Sequence, residues 1–183
     1  MKLLLLHMIK LQNRKMERKG NNMFGFLKGK NKEVVIGSPV KGKAVPISQV
    51  NDPTFAEEIL GKGAALMPED GKVCAPAAGE ISMVFDTLHA FSMTTKEGVE
   101  LLVHIGLETV SLKGKGFTSH KKAGDKVEKG ELVITADFDV IKGEGLDTII
   151  PVIVCNTDEF KEVESLTGKD VNVGDDILKI SLK

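Results

Sequence analysis

From residue 33 onward, the chain alternates short apolar runs with turns rich in glycine, aspartate and lysine. Runs of this length, bounded by turn residues, are typical of the strands of an all-β sandwich or barrel. The pattern predicts strands at residues 34–36, 42–47, 64–67, 72–74, 79–85, 90–94, 99–105, 111–112, 132–135, 149–154 and 177–181. The predicted fold is therefore an all-β, mostly antiparallel β-sandwich of one domain.

Two short helices are predicted between these strands. Asp52 can cap the first helix, with Pro53 at its opening position and Gly61 just past its end. Its apolar side is formed by Phe55, Ile59 and Leu60. The second helix is predicted over about residues 158–166, started by Asn156 or Thr157, and Gly168 closes it. Its inward stripe is formed by Phe160, Val163 and Leu166.

An internal repeat supports the same architecture. Residues 38–43 recur as residues 75–80, and residues 123–131 have an echo in residues 171–176. Each copy consists of a small residue, a turn and a return strand. The repeat predicts a duplicated β motif within the sandwich.

Two histidines lie in apolar surroundings on either side of a turn. His104 lies near the end of the strand predicted over residues 99–105. A buried histidine is tolerated there if its ring is neutral and one ring nitrogen is hydrogen-bonded, so His104 could be a core residue or a functional one. His89 lies within residues 85–92, and a turn at residues 96–98 would join both segments as an antiparallel hairpin. Positions 89 and 104 are about equally distant from that turn, so we expect the two side chains to face one another.

Residues 87–92 and 99–106, at this separation, resemble the active-site signature of the glucose-type enzyme IIA of the bacterial phosphoenolpyruvate:sugar phosphotransferase system. Similar features occur at residues 38–42, 75–79, 112–117, 148–152 and 173–175. The chain is identified as a member of this family from about Val34 to its C-terminus. The resemblance implies a barrel-sandwich hybrid with a related duplicated β motif.

The resemblance also implies roles for the polar residues of this signature. Nε2 of His104 would take a phosphoryl group from the phosphocarrier histidine protein HPr and pass it to a cysteine of the transporter's IIB domain. Neutral imidazole with a pKa near 6.5 suits such a relay. His89 would donate a hydrogen bond to the phosphoryl oxygens, and Thr87, expected on the same strand face, would orient the His89 ring or contact the phosphate. Neither a metal nor a cofactor is expected, because positioning and hydrogen-bond donors carry phosphoryl transfer.

The resemblance further places a docking face around the histidines. Its apolar members would be Phe55, Ile59, Leu60 and Phe85, for which core packing is the alternative interpretation. The carboxylates of Asp52 and Glu108 would meet basic residues of the partners. Two positions depart from some relatives, which carry asparagine at Leu88 and aspartate at Glu108.

Net charge and cysteine content limit which partners and which cellular compartment are expected. The formal net charge of −1, from 25 basic and 26 acidic residues, gives no electrostatic reason to expect binding to nucleic acid or to an anionic membrane. Cys74 and Cys155 are far apart, which favours buried, reduced thiols in a cytoplasmic protein over a disulfide. His7 lies in the N-terminal extension and His120 among polar and basic residues, and both are predicted to have no role.

The N-terminus is interpreted separately from the domain. Residues 1–22 begin with an apolar run, but His7 and Lys10 interrupt it and no small-residue cleavage site follows, so neither export nor stable membrane insertion is predicted. Met23 is a plausible initiator, which would make residues 1–22 a start-site artefact. Residues 23–33 are expected to form a flexible arm, with an interfacial anchor at residues 24–27 as the alternative. The IIA domain is predicted to span residues 34–183.

The sequence therefore predicts a cytoplasmic phosphotransferase component that carries phosphate on a histidine during uptake of sugars of the glucose class. An alternative from another class is a regulatory module that binds transporters or enzymes according to its phosphorylation state. A further alternative is a lipoyl or biotinyl carrier, because the glycine–aspartate loops resemble those of such domains. This chain, however, has no lysine in the hairpin context that such domains modify. A zinc endopeptidase of the lysostaphin type would need a His-x-His pair that is absent here.

Overall fold

The computed structural model describes residues 33–183, which lie within one compact unit. The predicted extension at residues 1–22, the predicted arm up to residue 32 and the possible anchor at residues 24–27 lie outside the described residues. The first strand already begins at Glu33. In the described part of the chain, no helix has the length and apolar character that crossing a bilayer requires.

The described residues form fourteen strands and two α-helices. The strands are β1 (Glu33–Gly37), β2 (Gly42–Pro46), β3 (Gly63–Pro68), β4 (Lys72–Cys74), β5 (Gly79–Val84), β6 (Ala90–Thr95), β7 (Glu100–His104), β8 (Phe117–Ser119), β9 (Lys126–Val127), β10 (Leu132–Ala136), β11 (Ile150–Val154), β12 (Glu162–Ser165), β13 (Lys169–Val171) and β14 (Asp176–Ser181). The helices are α1 (Pro53–Ala56) and α2 (Phe138–Gly143). Three 3-10 helices span Ile47–Gln49, Thr109–Leu112 and Thr157–Glu159.

The strands form three sheets in which every neighbouring pair is antiparallel. The large sheet has eight strands in the order β13-β2-β3-β11-β7-β6-β5-β9. Two three-stranded sheets have the orders β1-β14-β12 and β4-β10-β8. The prediction of an all-β, mostly antiparallel sandwich is confirmed.

The large sheet is buried on both faces. Alternate positions of its strands, such as Leu101 and Val103, join the main core together with apolar residues of both small sheets. The intervening positions point to the opposite face, where Leu102 and Ile153 are fully buried but lie outside that core. The segment that carries the 3-10 helix Ile47–Gln49 and α1 covers this second face. His104 is two residues from Leu102 and therefore lies on the second face.

The first helix is placed as predicted but is shorter. The Asp52 side chain accepts a hydrogen bond from the backbone N–H of Thr54, and Pro53 opens α1. The helix ends at Ala56, so Ile59 and Leu60 lie in the turn that follows and not on the helix.

The prediction of a second helix over residues 158–166 is wrong. Only Thr157–Glu159 form a 3-10 turn, and the chain then continues as β12. Val163 is the one buried residue of β12, and it pairs with Ile180 of β14. Because alternate side chains of a strand point to opposite faces, this pairing buries Val163 without a helix. The second helix is instead α2, where the Asp137 side chain accepts hydrogen bonds from two backbone N–H groups of the first turn.

Among the predicted strands, the one at residues 111–112 is wrong, because these residues belong to a 3-10 helix. Four short strands were not predicted, namely β8, β9, β12 and β13. The repeat corresponds to two equivalent loop contacts. The backbone N–H of Ser38 donates to the Asp175 carbonyl at 2.7 Å, and the Ser38 carbonyl accepts from the Gly174 N–H at 2.9 Å. Ala75 makes the matching pair with Glu131 O and Gly130 N, both at 2.8 Å.

Candidate functional site

The hairpin of β6 and β7 brings the two histidines together. Its register places Ala90 opposite His104, and the backbone N–H of Ile105 donates to the His89 carbonyl at 2.7 Å. The imidazole rings lie with their centroids 4.9 Å apart and their planes at 78°. The predicted hairpin and the predicted proximity of the two rings are confirmed.

His104 has a defined bond at one ring nitrogen. Its Nδ1 lies 2.7 Å from the carbonyl oxygen of Gly106. A carbonyl only accepts, so Nδ1 carries the proton and donates it, which leaves Nε2 with a free lone pair in the neutral ring. The residue is 7% exposed, and the Phe55 ring lies 5.2 Å from the imidazole, tilted by 59°.

His89 is held by Thr87, although not as the sequence indicated. Thr87 lies in the turn between β5 and β6, and not on a strand face beside His89. Its Oγ1 is 2.6 Å from Nδ1 of His89. The turn is closed by a bond of 2.7 Å from Leu88 N to the Phe85 carbonyl, with Leu88 at a φ of 57°. The turn thus aims the threonine hydroxyl at the ring.

Leu88 adopts the left-handed conformation, which is uncommon for a large side chain. Its side chain is partly buried and packs against the main core. Asparagine, which some relatives carry here, adopts this conformation more readily than leucine does. Leu88 instead gains apolar contact with the core.

Both imidazoles are neutral near pH 7. Burial lowers the pKa of His89 to about 3, with a smaller contribution from neighbouring His104. Burial also lowers the pKa of His104 to about 4, although the Gly106 carbonyl and the charge of Asp52 act in the opposite direction. Neutral rings can act as nucleophiles and as hydrogen-bond donors at the same time.

The other expected site residues surround this pair unequally. Of the four expected apolar residues, Phe55 is 3% exposed, Leu60 and Phe85 are both 7% exposed, and Ile59 alone is exposed, at 56%. The Phe85 ring lies edge-on to His89 with a centroid distance of 5.3 Å. Phe55 therefore packs against the His104 ring and Phe85 against the His89 ring, while Ile59 supplies accessible apolar surface.

The two expected carboxylates occupy different positions. Asp52 is half-buried at the start of α1 and acts electrostatically on His104. Glu108 is exposed, with a φ of 58°, and immediately precedes the 3-10 helix Thr109–Leu112. Asp52 therefore acts directly on His104, whereas Glu108 is exposed four residues further along the chain.

The remaining reactive side chains lie apart from this site. His120 is exposed and contacts Thr135 through its Nε2 at 2.8 Å. Cys74 and Cys155 are free thiols, and burial raises the pKa of both, that of Cys155 to about 12. Within residues 33–183, no group of three or more histidine, cysteine, aspartate or glutamate side chains is placed to hold a metal ion.

The sequence interpretation missed Gly106 as a functional position. Residue types alone assign Gly106 no role, whereas in the structure its carbonyl selects the protonated nitrogen of His104. A glycine two residues after a histidine at a strand end is the signal that was available, because a φ of +74° permits the chain to turn its carbonyl back.

Comparisons with known proteins identify the family of this chain. Residues 34–160 match the family described as phosphoenolpyruvate-dependent sugar phosphotransferase system, EIIA 1. The PTS system glucose-specific EIIA component of Oceanobacillus iheyensis is 37% identical over 154 residues, covering 84% of this chain and 93% of the relative. The PTS system beta-glucoside-specific EIIBCA component of Bacillus subtilis is 45% identical over 141 residues, covering 74% of this chain and 23% of that protein.

A solved structure supports the same relationship. Glucose permease IIA from Mycoplasma capricolum is similar with a TM-score of 0.77 and 33% sequence identity, over 84% of this chain and 99% of that chain. The matched family region contains the whole β6–β7 hairpin with both histidines. The chain therefore belongs to the EIIA 1 family of the phosphoenolpyruvate-dependent sugar phosphotransferase system.

Proposed function

We propose that this chain is a phosphocarrier that accepts a phosphoryl group from phospho-HPr on Nε2 of His104 and passes it to the IIB domain of a sugar transporter. The observation that carries the proposal is the pair of adjacent neutral imidazoles, in which His104 donates from Nδ1 to the Gly106 carbonyl. Membership of the family makes the chain a phosphotransferase component. The phosphohistidine itself and its place on His104 are parts of the proposal.

The chemistry at His104 needs no proton transfer. The Nε2 lone pair forms a bond to phosphorus as the donor's P–N bond breaks, and the electron pair of that bond returns to the donor's imidazole. The His104 ring then carries a positive charge, which its Nδ1–H shares with the Gly106 carbonyl through their bond of 2.7 Å. Transfer to the IIB cysteine reverses these changes, with a thiolate forming the new bond to phosphorus.

His89 acts as the donor to the transferring group. When the Thr87 hydroxyl donates to Nδ1 of His89, the ring proton lies on Nε2, the nitrogen that Thr87 does not occupy. An N–H group aimed at phosphoryl oxygens stabilises the charge that they carry in the loose transition state. The burial that keeps His89 neutral also strengthens this hydrogen bond, since the site excludes water.

Docking would use the exposed surface next to the histidines. Ile59 offers apolar area for a partner, and Asp52 and Glu108 offer carboxylates for its basic residues. The name of the Bacillus subtilis relative, EIIBCA, joins B, C and A components in one protein, which supports a IIB domain as the acceptor. HPr as the donor and the cytoplasm as the compartment are proposed from membership of the family.

The test is the intact mass of the full chain after incubation with phosphoenolpyruvate, enzyme I and HPr. The native chain is expected to gain one acid-labile phosphoryl group, and His104→Gln is expected to gain none. His89→Gln should accept the group and fail to pass it to a IIB domain. His120→Gln is the matched control, because it removes an exposed histidine outside the site, and it should behave as the native chain does.

Two outcomes would contradict the proposal. A folded native chain that gains no phosphoryl group would show that the fold is present without the relay chemistry. Phosphorylation of His104→Gln to the native extent would place the acceptor on another residue.

A further inference from the structure

The carbonyl that binds His104 belongs to a turn fixed by four hydrogen bonds. The turn consists of two consecutive peptide units on either side of the Gly106 Cα. In the second unit, the Gly106 carbonyl accepts from His104 Nδ1 at 2.7 Å, and the Leu107 N–H donates to the Asp147 carbonyl at 2.9 Å. The orientation of this unit determines where the carbonyl oxygen points.

The first peptide unit is also bonded on both sides. The Gly106 N–H donates to the Ile149 carbonyl at 3.0 Å, and the Ile105 carbonyl accepts from Oγ1 of Thr109 at 2.6 Å. Among these four bonds, the one from Thr109 is the only bond made by a side chain other than His104. Because both planes are fixed, the φ and ψ angles of Gly106 are fixed as well.

Thr109 is buried in a way that its neighbours on the same 3-10 helix are not. Its exposure is 0%, whereas Val110 is half-buried and Ser111 is exposed. Its methyl group also confines Gly106, since a Cβ added to that glycine would lie 2.7 Å from Thr109 Cγ2 and 2.6 Å from the Asp147 carbonyl. Thr109 thus contacts the turn with both branches of its side chain.

The same turn reaches the second histidine. The backbone N–H of Ile105 donates to the His89 carbonyl at 2.7 Å, and the carbonyl of the same residue accepts the Thr109 hydroxyl. A displacement of Ile105 would therefore change the positions of both imidazoles. This linkage gives Thr109 a position from which it can set the geometry of the pair without touching either ring.

We propose that Thr109 is a positioning residue for phosphoryl transfer, whose hydroxyl holds the Gly106 carbonyl against Nδ1 of His104 and thereby keeps Nε2 as the unprotonated nucleophile. The role rests on the proposed function of His104. Without the hydroxyl, the Ile105 carbonyl loses its buried donor, and the first peptide unit is held only by the bond from the Gly106 N–H to the Ile149 carbonyl, so it can tilt about that bond. The Gly106 carbonyl then moves off the ring plane, and the tautomer protonated on Nε2, which has no lone pair at that nitrogen to attack phosphorus, gains population.

The experiment compares Thr109→Val with the native full chain labelled with ¹⁵N in its histidine rings. Valine keeps the shape of threonine and lacks the hydroxyl. We expect the two ring nitrogens of His104 to approach each other in chemical shift as the tautomers mix. The kcat for transfer from phospho-HPr should fall about tenfold, the effect of one weakened hydrogen bond, with KM unchanged.

A second pair of variants separates the hydroxyl from packing. Thr109→Ser and Thr109→Ala differ by the hydroxyl alone, and the pair remains informative if the valine variant does not fold. The serine variant should keep the native tautomer and rate, and the alanine variant should reproduce the loss. Thr95→Val is the matched control, because Thr95 is 5% exposed and its hydroxyl accepts two backbone N–H groups at the opposite end of the hairpin. It should lower stability while leaving the His104 tautomer and rate as in the native chain.

The outcomes distinguish this role from the proposed function. A folded Thr109→Val chain with the native tautomer and kcat would overturn the role of Thr109. Equal losses in the serine and alanine variants would also overturn it, since packing alone would then explain the effect. A native chain that accepts no phosphoryl group would contradict the proposed function of His104, whereas the tautomer comparison needs no phosphoryl donor.

Discussion

The buried histidine pair should make the stability of this protein depend steeply on pH above the range in which carboxylates titrate. In the folded chain, burial lowers the pKa of His104 to about 4 and that of His89 to about 3. In the unfolded chain, both rings take up protons near pH 6.5. Between these values the unfolded state binds more protons, so a fall in pH favours unfolding.

The size of the effect follows from this difference in proton binding. At pH 5 the unfolded chain carries nearly one more proton per histidine than the folded chain. Integrated from pH 7 to pH 5, each buried imidazole should lower the free energy of unfolding by about 2 kcal/mol, and the pair by about 4 kcal/mol. Removing one histidine should halve the loss, and removing both should abolish this contribution.

Urea unfolding at pH 7, 6 and 5 measures the change directly. The native chain is compared with His89→Gln, His104→Gln and the double variant, and each loss of stability is taken relative to the same protein at pH 7. His120→Gln serves as the matched surface control, because it removes an exposed imidazole. Equal losses in the native chain and the double variant would refute the burial of neutral imidazoles as the cause.

Three further changes test the surroundings of the pair. Ile59→Glu should slow transfer from phospho-HPr about tenfold, in a mass time course, if this exposed residue anchors the partner. Urea unfolding should place its stability within about 0.5 kcal/mol of the native chain, and a native transfer rate would exclude such an anchor. Phe55→Ala should raise the pKa of His104 from about 4 towards 6.5 in an NMR titration, because the ring shields it from water, and should cost about 3 kcal/mol. An unchanged pKa would contradict that shielding. Gly106→Ala adds a Cβ 2.6 Å from a backbone carbonyl at a φ of +74°, so it should lose about 1–3 kcal/mol more in urea than Gly98→Ala, where φ is +85° but the space is open. Equal losses would show that the close approach has no cost.

The parts of the fold that local sequence determines were predictable. Residues 96–98 form a turn between two apolar segments, and that turn brought His89 close to His104, although the residue directly opposite His104 is Ala90. The cap of α1 was equally clear, because Asp52 and Pro53 satisfy the first turn of a helix by short-range contacts.

The errors came where long-range pairing decided the structure. Residues 158–166 have apolar side chains at helical spacing, yet the segment has β14 beside it, and Val163 is buried by pairing with Ile180. The helix at Phe138–Gly143 was not predicted, although the Asp137 cap before it is a signal that the sequence contains. Secondary-structure propensity predicts a segment poorly when a neighbouring strand can supply backbone hydrogen bonds to it.

The chemistry of the site was only partly readable from residue types. The two histidines could be named, whereas the Thr87 contact comes from a turn and not from a strand face. The Gly106 carbonyl had only an indirect signal, the glycine itself, because the residue type does not show where a backbone carbonyl points. Its orientation depends on Asp147 and Ile149, which are far along the chain.

The most direct test of the central claim identifies the atom that receives phosphate. The full chain, labelled with ¹⁵N in its histidine rings, is phosphorylated through enzyme I and HPr, and the coupling between ³¹P and ¹⁵N is recorded under alkaline conditions. Phosphorus coupled to Nε2 of His104 is the predicted result, since Nδ1 of that ring is bonded to Gly106. Coupling to Nδ1 of His104, or to either nitrogen of His89, would contradict the proposed division of roles between the two rings.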